Sequence, residues 1–126
     1  MNVPDNLKYT KDHEWLKMDG DTALVGVTDY AQHELGDIVY IEVETAGETL
    51  PKGDAFGTIE AVKTVSDMYM PVGGEVIEFN EELTSKPETV NKDPYGAGWI
   101  IKIRITDPAE VAELLDPAAY KAQIGA

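Results

Sequence analysis

The densest stretch of the chain is Gly57-Thr58-Ile59-Glu60-Ala61-Val62-Lys63-Thr64-Val65-Ser66-Asp67, closing on Met70-Pro71-Val72-Gly73-Gly74-Glu75-Val76. Two arms rich in β-formers, residues 55–62 and 65–70, flank one lysine, so the turn falls between Val62 and Thr64. A tight turn throws its side chain clear of the body, where another protein's active site can reach it. Lysine is a flexible stem ending in an amine, and an acylated amine loses its charge and gains length. Spacing alone leaves a second reading open, an ordinary solubilising lysine at a hairpin tip.

Outward from the hairpin the chain reads as more short strands. Residues 22–27 are apolar and partly β-branched, after the turn Asp19-Gly20-Asp21. In 38–43, Val39, Ile41 and Val43 alternate with Tyr40 and Glu42, the period of a half-buried strand. Gly73-Gly74 turns the chain into residues 75–80. Near the C-terminus Trp99, Ile101, Ile103 and Ile105 alternate with Ile100, Lys102 and Arg104. Thr28-Asp29 ahead of Tyr30 to Leu35, with Gly36 as the stop, predicts a short capped helix. A C-terminal helical segment is expected over about 107–124. Asp107-Pro108 starts it, with Glu110 three residues past the cap and an apolar stripe of Val111, Leu114 and Leu115. Asp116-Pro117 opens a second turn of helix through Tyr120 and Ile124. The whole predicts a mostly β fold, a sandwich or barrel of antiparallel strands with short peripheral and C-terminal helices.

The 126 residues suit one domain, 1–126, and 43% hydrophobic content suits a packed core. With 24 acids against 10 bases the net charge is −14, which argues against a nucleic-acid partner. That charge serves solubility or steers the chain toward basic surfaces. Without cysteines, thiolate metal sites and cysteine nucleophiles are excluded, and sulfur redox chemistry would need an attached group. Two distant histidines, His13 and His33, give no metal spacing. His13 reads as structural, placed by its neighbour Trp15, and His33 as exposed. Pro94-Tyr95-Gly96-Ala97-Gly98-Trp99 reads as a turn whose glycines supply unusual backbone angles. No apolar run is long enough to span a membrane and the first residues do not look like a targeting peptide, so a cytoplasmic protein is expected.

The lysine segment resembles the lipoylation hairpin of the glycine cleavage system H-protein family. The likeness extends through Tyr9-Thr10 and His13-Glu14-Trp15, then Val25-Gly26-Val27-Thr28-Asp29, Ala31 and Leu35-Gly36-Asp37. It continues through Leu50-Pro51-Lys52-Gly53, Gly74-Glu75-Val76, Asn80, Leu83, Pro87, Asn91 and Pro94-Tyr95-Gly96 with Gly98-Trp99. It spans roughly residues 7–115 in co-linear order. Ala61 stands where the family more often has serine, Thr64 where it often has alanine, and Val65 where it has a small residue. None of these removes the acceptor amine.

The resemblance implies a lipoyl-domain-like hybrid barrel-sandwich and a non-catalytic carrier, with lipoate in amide linkage on Lys63. It implies an aminomethyl group collected from glycine decarboxylase and delivered to aminomethyltransferase, followed by reoxidation by dihydrolipoyl dehydrogenase. A lipoate ligase or lipoyltransferase would attach the arm, and the chain would work as a monomer. Glu14 and Asp67 match positions where relatives hold the loaded arm in an acidic cleft, with Asp12 as a further acid nearby. Carboxylates there would keep the cargo amine protonated and slow its loss. Two other carriers compete: a lipoyl module of a 2-oxoacid dehydrogenase, and an H-like protein that donates lipoyl groups to other proteins. A biotin carrier typically has methionines beside its lysine, where this chain has Val62 and Thr64. A hydrolase built on Glu14 and Asp67 lacks a nucleophile motif, and a purely structural sandwich would not explain the full-length likeness.

Overall fold

A computed structural model describes residues 1–125. Strands β1 (Lys8–Tyr9), β2 (Glu14–Asp19) and β3 (Thr22–Val27) lead into helix α1 (Asp29–Leu35). Then come β4 (Ile38–Glu42), β5 (Thr49–Leu50), β6 (Ala55–Ala61), β7 (Val65–Tyr69) and β8 (Gly74–Phe79). Two single-turn helices, α2 (Glu82–Ser85) and α3 (Thr89–Lys92), precede β9 (Ile101–Ile105). A 3₁₀ helix over Pro108–Glu113 and helix α4 (Pro117–Ile124) end the chain. One antiparallel sheet has six strands in the order β1-β2-β3-β9-β8-β5, and a second has three, β4-β6-β7. The expected β-rich sandwich with short helices is what forms.

The main core lies between the sheets, with Ile41, Phe56, Ile59 and Met68 on one side and Val25, Val76, Ile101 and Ile103 on the other. A smaller cluster of Val3, Leu7, Tyr9, Trp15 and Tyr120 joins the N-terminal segment to α4. Trp15 pairs with Gly26 across β2 and β3. A Cβ at Gly26 would lie 2.7 Å from the indole, so the glycine leaves the ring its place. The indole N–H donates to Pro94 O at 3.0 Å. This pairing accounts physically for both the His-Glu-Trp and the Val-Gly-Val segments.

Three sequence expectations are corrected. Val39 was expected inside with Ile41, but it is the extra residue of a bulge between Ile38 and Tyr40 and is 46% exposed. The bulge resets the phase, so Ile38 and Ile41 are the buried residues of β4. Ile100 was expected on the polar face with Lys102 and is fully buried, because β9 begins only at Ile101. The glycines of the Pro94–Trp99 turn do not have positive φ. Gly98 is needed for close approach: a Cβ there would sit 2.6 Å from Asp93 O.

The C-terminal segment forms as two pieces. Asp107 caps the 3₁₀ helix by accepting from Ala109 N at 3.1 Å, and Asp116 caps α4 by accepting from Ala119 N at 2.8 Å. Glu110 accepts from Gly73 N at 2.7 Å, which ties this segment to the turn before β8. Among the described residues no helix is long and apolar enough to cross a membrane.

Candidate functional site

Lys63 stands at the tip of the β6–β7 hairpin. Ala61 N donates to Thr64 O at 2.8 Å, which leaves Val62 and Lys63 as the two residues of the turn. Neither has positive φ, so the turn is made without the glycine or asparagine that usually marks a hairpin. Lys63 is exposed, and Val62 and Val65 beside it are 76% and 61% exposed. No hydrogen bond or ion pair engages the Lys63 amine among the described residues. The Lys63 amine therefore stands open to solvent.

The base of the tip is held firmly. Val62 N donates to Asp37 O at 3.0 Å, joining the hairpin to the corner between α1 and β4. Asn91 of α3 clamps that corner: its Nδ2 donates to Gly36 O at 2.9 Å and to Gln32 Oε1 at 3.0 Å. Its Oδ1 accepts from Ile38 N at 3.0 Å. Gly36 ends α1 with φ of 82°, a conformation that favours glycine. The lysine stem crosses this bare backbone, since a Cβ at Gly36 would come within 3.5 Å of Lys63 Cε.

Leu35, next to Gly36, is one of the residues lining a cleft of about 290 Å³, with Asp12, His13, Glu14, Val27, Tyr30, Ala31, Glu34, Ser66, Asp67 and Met68. The structure thus brings together both acids expected from the sequence, but in unlike settings. Glu14 is 3% exposed. Its Oε1 accepts from Thr10 Oγ1 at 2.8 Å and its Oε2 from Tyr69 N at 3.2 Å. Burial pushes its pKa from 4.5 up to about 7, and those two hydrogen bonds only partly oppose the rise. Asp67 is exposed on the edge strand β7. Its cross-strand partner is Thr58, which pairs in turn with Glu42, and Asp67 also lines a second, outer cleft with those residues. Glu14 is the floor of this cleft and Asp67 its rim.

Further lining residues were not singled out from the sequence. Ser66 and Glu34 line the cleft, as does Tyr30, which packs on the His13 ring at 4.8 Å. His13 itself has φ of 68°, and its Nδ1 lies 2.9 Å from Tyr120 Oη. Its placement comes from Tyr30 and Tyr120, whereas Trp15 packs against Tyr95 instead. Alternating sequence patterns carry no signal for such contacts, which join residues 107 positions apart. His33 is exposed, as expected.

Comparison with known proteins adds an independent line. The sequence profile described as glycine cleavage H-protein matches residues 7–125. A glycine cleavage system H protein of Bacteroides thetaiotaomicron is 56% identical over 124 residues, 98% of each chain. One from Chlorobium limicola is 59% identical over 127 aligned positions, 99% of each chain. The crystal structure of a glycine cleavage system H protein from Mycobacterium marinum superposes with a TM-score of 0.90 at 38% identity. That match covers 98% of this chain and 100% of the other.

Proposed function

Because the chain belongs to the glycine cleavage H-protein family, we propose that Lys63 carries lipoate in amide linkage. The arm shuttles an aminomethyl group between enzymes of glycine cleavage. The observation that carries this reading is the conjunction of three features: an unengaged lysine at a hairpin tip, its stem against bare backbone at Gly36, and a cleft lined by the neighbouring Leu35. The cleft suits such an arm chemically, with Val27, Ala31, Leu35 and Met68 for an apolar chain and acids for a cationic end.

Lipoate supplies the thiol–disulfide chemistry, which a chain without cysteine cannot supply itself. The protein's part is reach, shelter and charge. The hairpin presents the amine for attachment by a lipoate ligase or lipoyltransferase. The cleft excludes water from the resting arm, and Glu14 supplies a buried carboxyl to face the cargo amine. A cation beside it favours the carboxylate, so the pair stays charged together and the amine's lone pair stays occupied. Glycine decarboxylase, aminomethyltransferase and dihydrolipoyl dehydrogenase would each meet the arm outside the cleft. The chain, 1–126, would act as one monomeric carrier domain in the cytoplasm, without a catalytic centre of its own.

Intact-mass measurement after expression with lipoate and its ligase tests the reading. A lipoyl adduct on Lys63, absent from Lys63→Ala, together with glycine–bicarbonate exchange that needs this adduct, is the expected result. An adduct on another lysine, or exchange without one, overturns it.

A further inference from the structure

Tyr120 belongs to α4, remote in sequence from the cleft, and is completely buried. Its hydroxyl meets both walls of the cleft at once. Toward one wall it lies 2.9 Å from Nδ1 of His13, the residue before Glu14. Toward the other it lies 2.7 Å from Thr28 Oγ1, the N-cap of α1, which carries Tyr30, Ala31, Glu34 and Leu35 into the cleft lining. Thr28 N also donates to His13 O at 3.0 Å, so the two segments are joined at this point.

The proton inventory gives the network a direction. Thr28 Oγ1 already accepts from Ala31 N at 3.1 Å, and Thr28 is fully buried. Its own proton can go only to Tyr120 Oη among the described residues. Tyr120 then donates to Nδ1 of His13, which must be free of a proton. Burial lowers the His13 pKa against the opposing pull of Asp12 and Glu34, which favours the singly protonated ring, and the hydroxyl inventory leaves that one proton on Nε2. Burial also pushes the Tyr120 phenol up to about 12, so its proton is retained. The opposite direction, starting from a proton on Nδ1 of His13, would leave the buried Thr28 hydroxyl proton without an acceptor.

We propose that Tyr120 is a positioning residue for the arm: its hydroxyl locks the His13–Glu14 wall to α1 and so fixes where the Glu14 carboxyl stands relative to docked cargo. This rests on the reading that the cleft shelters the loaded arm. Gln123 Nε2, which donates to Lys11 O at 2.9 Å, braces the same helix against the same wall. The C-terminal helix thereby serves the cleft although it supplies none of its lining.

Tyr120→Phe tests it, because the ring keeps its stack on Tyr9 at 4.7 Å while both hydrogen bonds are lost. In the unmodified protein, hydrogen exchange at the Ala31 and Gln32 amides should quicken at least threefold, with the β8–β9 amides unchanged. In the arm-bearing protein, spontaneous loss of the aminomethyl group should quicken severalfold. In a Glu14→Gln background the same Tyr120→Phe change should have no further effect, since a residue acting through Glu14 cannot act twice. The inference is overturned if Tyr120→Phe leaves the lifetime unchanged while Glu14→Gln shortens it, or if the two effects simply multiply. If Glu14→Gln itself changes nothing, the cleft reading falls and this inference with it. Unchanged Ala31 and Gln32 exchange would likewise refute the lock.

Discussion

On the proposed reading, the tip of the β6–β7 hairpin and the floor of the cleft would serve one arm by opposite physical means. At the tip, Lys63 and its neighbours Val62 and Val65 are exposed, and the lysine amine has no partner among the described residues. On the floor, Glu14 is buried, twice hydrogen-bonded and displaced from its ordinary titration range. The tip holds chemistry in reserve by leaving a group unengaged, whereas the floor holds it by enclosing a group almost completely. Stability and function should therefore separate at the tip and be coupled at the floor.

Lys63→Ala is the sharpest test of that separation and should have the largest functional effect. Lipoyl attachment and glycine exchange should vanish, while stability stays within about 0.5 kcal/mol of wild type, as for other exposed positions. Circular dichroism melts beside the exchange assay would show both. A large loss of stability would mean that the tip carries structural weight and would dissolve the contrast.

Glu14→Gln probes the floor in the protein without any arm. A carboxyl whose folded pKa is raised binds its proton more tightly in the folded state. Stability therefore falls as pH rises from 4.5 through about 7, and the full cost is present above that window. At about 1.4 kcal/mol per pH unit, that rise amounts to about 3 kcal/mol. Glutamine mimics the uncharged form. Urea melts at pH 4 and pH 8 should show wild type losing about 3 kcal/mol more than Glu14→Gln across the interval. Parallel curves for the two proteins would show that Glu14 is not enclosed.

The two regions were unequally legible in the sequence. Lys63 lies in a run of β-formers interrupted by a turn, and the resemblance is what points to it among the lysines. The alternation in β9 placed Ile101 and Ile103 correctly in the core. Strand β2 has no alternating pattern to mark it, because Glu14, Trp15 and Leu16 are buried in succession. Val39 was misplaced because a bulge has no compositional mark. In the sequence Glu14 and Asp67 look alike; only the fold, which buries Glu14 of β2 and leaves Asp67 exposed on the edge strand β7, makes one floor and the other rim. The Tyr120 network was out of reach, since it depends on α4 returning to the N-terminal strands, a matter of topology.

Asn91 lies between the two regions and should give an intermediate effect. Its side chain serves Gly36 O, Ile38 N and Gln32 Oε1, at the corner that supports the tip and ends the α1 wall. Asn91→Ala would leave backbone groups unpaired at a half-buried site, at a cost of about 2 kcal/mol. In a thermal scan this should appear as a Tm lower by roughly 5–10 °C. Attachment of lipoate to Lys63 should slow only modestly, since the amine itself is untouched. Unchanged stability would show that water replaces the clamp and that the corner is self-supporting.

The smallest effect is expected at Asp67, and it divides rim from floor. An exposed carboxylate interacts with a cation by about 0.2–1 kcal/mol, because water screens it and the side chain gives up rotamer freedom to make the contact. Asp67 is exposed and shared between two clefts, so only part of its field reaches a docked amine. Loss of the aminomethyl group from the loaded arm should therefore quicken less than about fivefold in Asp67→Asn, the factor that 1 kcal/mol corresponds to. In Glu14→Gln it should quicken about tenfold or more, because the buried carboxyl acts with little screening. Raising the salt from low to high concentration should erase the Asp67 effect and leave that of Glu14. Timing formaldehyde release without aminomethyltransferase, for both variants at two salt concentrations, reads all four values. Equal and equally salt-sensitive effects would place Glu14 in contact with bulk water once the arm is docked. The floor would then open on loading, and protection would come from the acids' combined field.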